Sequence, residues 1–417
     1  MTTIDPGRSD MHQILNPRGT DAPTDPTPPA EELDFSLILG GPIYQIFVRS
    51  HLSGNGLELL NRRIVVISAL AWLPLLVLSI ISGHFMSGSA LPFLRDVEAH
   101  ARLLVALPVL IMAEVVVHTR IRSVANAFLT RRIVVREDVP RFVAAVQSAM
   151  KLRNSVPMEL GLLVLVFTVG VWLWRSQIAL GSVTWYAAVE NGQLQLTLPG
   201  YWYAFVSIPV FQFILLRWYF RLFIWFRFLW QVSKLNLHIV ATHPDRAGAL
   251  GFLGRSAYAY SPILFAQGTL LSGFIANRVL YGGELLSSFR VEAGVLIGFF
   301  LVVVLGPLVM FTPKLAQAKR QGLAKYGVLA SRYVEQFERK WVGGGAAGGD
   351  ELLGSGDIQS LADLGNAYTV VSEMRAIPFR LSDAIRLAGA TAAPLVPLGL
   401  IVLSFEELVA QLVKILL

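Results

Sequence analysis

The chain has 417 residues, of which 54% are hydrophobic and only 15% charged, with no cysteine and a formal net charge of +7. A soluble domain of this size carries roughly 25% charged residues, so the composition excludes an ordinary soluble fold. The missing cysteines exclude disulfides, thiolate metal sites and cysteine nucleophiles. The charge deficit is concentrated in long, nearly charge-free runs without alternation. These are read as membrane-spanning helices, because in lipid every backbone group must find its partner within the segment. The basic excess is assigned to loops facing anionic lipid rather than to nucleic acid, since no nucleic-acid-reading module accompanies it.

Residues 1–34 are polar and Pro-rich, with Asp21-Ala-Pro-Thr-Asp-Pro-Thr-Pro-Pro29 and no apolar core of a signal peptide. They read as a disordered tail, because they hold too little apolar surface to offset the entropy of ordering. Residues 35–62 begin with an apolar stretch broken by Gly40-Gly41-Pro42, which predicts an interfacial or re-entrant segment.

Residues 63–313 form the expected transmembrane bundle, with spans at 64–81, 103–117, 158–174, 201–221, 258–280 and 291–311. A seventh span, with an amphipathic C-terminus, is expected within 387–417; it carries Pro394 and Pro397. The aromatic run from Tyr201 continues to Trp230, too long for one perpendicular crossing. Cytoplasmic helices are expected over 119–157, where Asp138 is placed to cap a helix carrying Pro140, with Phe142, Val146 and Met150 on one face. Asn191-Gly192 sits between two alternating arms, which predicts a small extracytoplasmic β-hairpin. Residues 314–386 read as a cytoplasmic helical hairpin. Leu323, Tyr326, Ala330, Tyr333 and Phe337 form one seam, Leu361, Leu364, Tyr368 and Val371 its match, and the Gly-rich 343–349 the linker. An intermolecular coiled coil through 323–337, and so a homo-oligomer, is the alternative.

Arginine and lysine gather before span one, between spans two and three, after span four and after span six. The positive-inside rule then puts the N-terminus in the cytoplasm and, with about seven spans, the C-terminus outside. The fold class expected is therefore all-α: a polytopic helical bundle with cytoplasmic helical extensions, in a bacterial inner membrane.

Charges inside spans are costly and mark function by default. Glu114 lies in span two, Arg217 and Arg221 share one face of span four, and Glu159 opens span three. At about 1.5 Å per residue all four reach a similar depth in the cytoplasmic half. They are the candidate transport pathway or buried ion pair, with Glu114 pairing to Arg217 or Arg221 beside a cavity open to the cytoplasm. The competing reading, preferred for Arg221 and Arg227, lets the guanidiniums snorkel to the head groups beside an aromatic belt of Trp218, Tyr219 and Trp225. The arginine spacing, four then six, does not match a voltage sensor.

The stretch 237–254 holds His238, His243, Asp245 and Arg246 with glycines at 248, 251 and 254. A metal site is one reading, although histidines five apart do not share a helix face. A cytoplasmic gate is the second. The third is structural, with Pro244 breaking one helix and Asp245 capping the next. No metal and no cofactor is assigned: no histidine lies mid-span for haem, and no phosphate loop, dinucleotide fingerprint or serine elbow is present. The function expected is a channel or carrier for an ion or small solute. The alternative is a membrane anchor recruiting a cytoplasmic protein through 315–376, and catalysis is not indicated.

Overall fold

The computed structural model describes residues 35–41, 45, 59–170, 184–190, 193–344, 351 and 354–402. It is 79% helical with almost no sheet. Among the described residues, five helices are long and apolar enough to cross a membrane, or six if one bent pair counts as a single span. Such helices are compatible with an integral membrane protein.

The five are α1 (Leu60–Ile81), α2 (Val97–Thr130), α5 (Leu198–Ser233), α6 (Gly251–Gly282) and α7 (Leu286–Val342). The bent pair is α3 (Val139–Arg153) with α4 (Val156–Gly170), turning 46° where Pro157 follows Ser155 and Val156. Two more helices follow: α8 (Gly356–Ser372), and α9, which runs as Leu381–Ala392, a tight turn Ala393–Leu395 and Val396–Val402. The expected seventh span falls on α9, which is not among the five or six; its end lies outside the described residues. Real helices overrun the apolar windows at both ends, because helix hydrogen bonding continues into flanking polar turns that hydropathy does not count.

α2 is the axis of the bundle. Leu103, Leu107, Leu110, Glu114, Val117, Ile121, Val124 and Phe128 recur at three- and four-residue steps and are all buried. α1, α5 and α6 pack around it. α1 instead exposes Val65, Leu73, Val77, Ile80 and Ile81, the face a bilayer would cover. At one end of the bundle an aromatic core ties five elements together. Phe128 lies 5.8 Å from Phe142, 5.4 Å from Phe252 and 6.4 Å from Phe311, and Phe228 lies 5.8 Å from Phe142 and 4.9 Å from Phe35.

Phe35 to Ile38 are at most 2% exposed. The described start of the segment expected to be interfacial or re-entrant is buried: Phe35 packs against Trp225 and Phe228, and the Ser36 carbonyl accepts from Arg153 at 2.5 Å. Most of 42–62 lies outside the described residues, as do 1–34.

At the other end, β1 (Ala187–Glu190) and β2 (Gln193–Leu196) pair antiparallel, Glu190 opposite Gln193. The expected Asn191-Gly192 turn is not among the described residues. Beside the strands Asp96 accepts from Trp185 at 2.8 Å, Asn277 at 2.9 Å and the Ala99 amide at 3.0 Å. A carboxylate that satisfied can be buried, and it joins the loop before β1 to α2 and α6.

Asp138 stands at the start of α3 without capping it. Its carboxylate accepts instead from the Asn236 amide at 2.7 Å, closing the loop after α5 onto α3. Past the bundle α7 continues as a long polar helix, and α8 returns along it. Gly322 faces Val371, Gly327 faces Tyr368 and Tyr333 donates to the Asp357 carbonyl at 3.0 Å, an antiparallel order. The linker 345–350 lies outside the described residues.

Candidate functional site

Four helices bring charge to one point in the bundle. Glu114 projects from the buried face of α2, Arg217 and Arg221 from successive turns of α5, Glu159 from the first turn of α4, and Arg63 from the first turn of α1. All five are at most 8% exposed. Glu114 is the hub. One carboxylate oxygen is 2.9 Å from Arg221 and 3.9 Å from Arg217, and the other contacts Arg63. Arg217 in turn lies 3.7 Å from Glu159. The four residues read from sequence are thus brought together, and Arg221 joins the cluster rather than snorkelling.

The reason is geometric. Arg221 lies flat against Trp218, 4.8 Å from its ring, and Trp218 is itself anchored by an indole N–H to the Leu110 carbonyl at 2.9 Å. That indole and Trp225 are buried between helices, not arrayed at a head-group belt. Buried ions of this kind are costly to desolvate and are kept only where partners surround them. Even so, Nη2 of Arg221 is buried with no hydrogen-bond partner among the described residues.

Three guanidiniums against two carboxylates leave the cluster one positive charge in excess. Arg63, Glu114, Arg217 and Arg221 form the floor of a cavity of about 450 Å³. The walls are apolar: Leu70, Leu163, Phe167, Phe205, Val210 and Ile214 among them. Phe167 and Phe205 sit in wide π-type turns, Val166–Gly170 and Tyr203–Ser207. Such turns insert an extra residue into the helix and re-aim the side chains that follow.

Residues 35–41 reach the cluster at Glu159, which is not among the residues lining the cavity. There Gly41, at φ +91°, passes so close to Glu159 that an added Cβ would come 3.0 Å from its Oε1. Ser36 Oγ meets His118 Nδ1 at 2.9 Å. The cavity is lined by residues of α1, α2, α4 and α5.

The 237–254 stretch does not form a single site. His238 is exposed and contributes its backbone amide to Ile133 at 2.7 Å. Asp245 organises the loop. Its Oδ1 accepts from the Ala247 and Ala249 amides at 2.8 and 3.2 Å, and its Oδ2 from Gly251, the first residue of α6, at 2.9 Å. Burial alone raises this carboxyl, but these amides and His243, 2.9 Å away, hold it below its ordinary value. The bonds wrap a tight turn in which Arg246 and Ala249 take φ of 54° and 75°. Arg246 pairs with the exposed Glu373 at 2.6 Å. Among the described residues no three His, Cys, Asp or Glu side chains converge as a metal site requires.

Sequence reasoning missed Arg63, whose Arg62-Arg63 context is that of a positive-inside flank. The usable signal was its position at the edge of the apolar run, directly before Ile64. No protein-family model matches the chain, and no significant match is found among curated proteins or solved structures.

Proposed function

We propose that this chain is a membrane transport protein, a channel or carrier, whose solute site is the cavity floored by Glu114, Arg63, Arg217 and Arg221. The observation that carries the reading is a buried, net-cationic group of side chains beside the apolar walls of a cavity, within helices apolar enough to cross a membrane. Ionisable groups there are expensive and are retained where they serve a pathway. The excess positive charge and the apolar walls favour a small anion with an apolar body. Glu159 would relay the cluster toward the basic-loop side, and the turn around His243, Asp245 and Arg246 would fix the end of the bundle. A bacterial inner membrane, an N-terminus in the cytoplasm and an extracytoplasmic β-hairpin belong to the same proposal.

The test is flux of organic anions, inorganic ions and protons in proteoliposomes. Wild type should transport, and both Glu114→Gln and the cavity-filling Val210→Trp should abolish transport in folded protein. If folded Val210→Trp carries solute at the wild-type rate, the cavity is not the route.

A second reading has its own observation. α7 and α8 form a long paired arm with Val328, Leu329 and Val334 exposed. That stripe would suit a cytoplasmic protein partner, or a second copy of the chain through 323–337. Retained partner capture after deletion of 315–376 would sink it.

A further inference from the structure

A second cavity, of about 290 Å³, lies between the start of α6 and the start of α9. It is remote in character from the first: four of its nine lining residues are arginines. Arg255 enters from α6, Arg375 and Arg380 from the segment joining α8 to α9, and Arg386 from α9. Asp245 and Asp383 are the carboxylates that line it.

Both carboxylates are hydrogen-bonded to groups other than these guanidiniums. Asp245 is occupied by three backbone amides. Asp383 accepts from the Arg380 amide at 2.7 Å and from the Tyr258 hydroxyl, closing the first turn of α9. Among the described residues none of the four guanidiniums comes within ion-pair distance of a carboxylate. Two of them make other contacts. Arg375 Nη2 donates to the Asp245 carbonyl at 2.9 Å, and Arg386 lies over the Tyr258 ring at 5.5 Å. Arg375 Nη1 is buried and has no hydrogen-bond partner among the described residues. Burial, and then the neighbouring Arg380, push the Arg375 guanidinium below the usual arginine range. An anion would relieve both.

We propose that this cavity binds a phosphate group, borne by a lipid head group or by a soluble phosphate compound. Four planar forks around one space match the oxygens of phosphate, which arginine engages two at a time. Four cations against two carboxylates leave an excess of two, the charge of a phosphate dianion. Leu381 and Ile385, 76% and 62% exposed on the same turns of α9, set the mouth beside an apolar surface where a lipid tail could lie. This inference is independent of the transport reading.

The experiment uses the full chain in nanodiscs. In one arm the lipid is phosphatidylcholine alone and inorganic phosphate or pyrophosphate is titrated, with binding read by calorimetry. In the other, phosphatidic acid is included without soluble phosphate, and retained lipid is read by native mass spectrometry. Binding in either arm, weakened at least tenfold by Arg375→Gln and by Arg386→Gln but not by Lys325→Gln, supports the site and identifies the source. Should Arg375→Gln fail to fold, the exposed Arg255 and Arg386 variants carry the test. No binding in either arm, or folded variants that bind like wild type, would overturn it.

Discussion

Glu114 shows how much one residue decides. It is a single carboxylate facing three guanidiniums, so its removal leaves like charges buried side by side with Glu159 as the remaining counter-ion. Breaking a buried pair in this way costs about 3–5 kcal/mol. Glu114→Gln should therefore lower the unfolding midpoint markedly, measured by thermal denaturation in detergent. Arg221→Met should cost less, because it removes the excess charge and leaves Arg63 and Arg217 on the carboxylate. If Arg221→Met proves the more damaging of the two, the assignment of Glu114 as hub is wrong. Arg221→Lys is not conservative here, since an ammonium cannot both lie on Trp218 and reach Glu114 in the plane of a guanidinium.

At the scale of elements, two joints hold the bundle, one at its basic-loop end and one midway along α6. The first is the Asp245 turn. Its carboxyl is held below the ordinary value of 3.8 in the folded chain. It therefore contributes stability above that value, and the contribution is lost as pH falls through the lower folded one. Amide hydrogen exchange over 244–254 should stay slow from neutral pH down to about pH 4, after correction for intrinsic rates, and quicken below it. Asp245→Asn should show fast exchange already at pH 7; equal protection in both proteins would remove Asp245 from that role. The second joint is the crossing of α6 and α9 at Gly268, where a Cβ would meet the Thr391 carbonyl oxygen at 1.9 Å. Small residues permit such approach between membrane helices. Gly268→Val should separate the two helices at a cost of about 1–3 kcal/mol or more, read as a lower thermal midpoint and lower yield of monodisperse protein.

For the whole molecule the open quantity is orientation. Basic residues gather at the ends of α2, α5 and α7 that also carry the aromatic core, while β1 and β2 lie at the other end. The chain has no cysteine, so single ones report cleanly. With the N-terminus inside, Arg132→Cys should resist a membrane-impermeant thiol reagent in intact cells, and Glu284→Cys should react. The reverse pattern would invert the protein and place the cavity floor toward the outer leaflet. Both positions lie in loops outside the two cavities, so labelling leaves the proposed sites intact.

Much of this protein is determined by local sequence. Helical class follows from uninterrupted apolar runs, because lipid leaves the backbone no other partner. Four members of the ion cluster, Glu114, Glu159, Arg217 and Arg221, were visible as charges within or at the edges of those runs, and α7 and α8 as matching seams. What tertiary structure alone decided is depth and company. Arg63 looks like a flank in sequence and becomes internal because α1 stands against α2 at the level of Glu114. Phe35 to Ile38 read as part of an interfacial or re-entrant segment, and their burial depends on the aromatic side chains that α5 offers. Arg255, Arg375, Arg380 and Arg386 lie up to 131 positions apart in the chain, and their common cavity exists only once α6 and α9 meet. A local pattern sets which face of a helix is apolar; only packing sets what that face meets, since the free energy of burying a charge depends on partners distant in sequence.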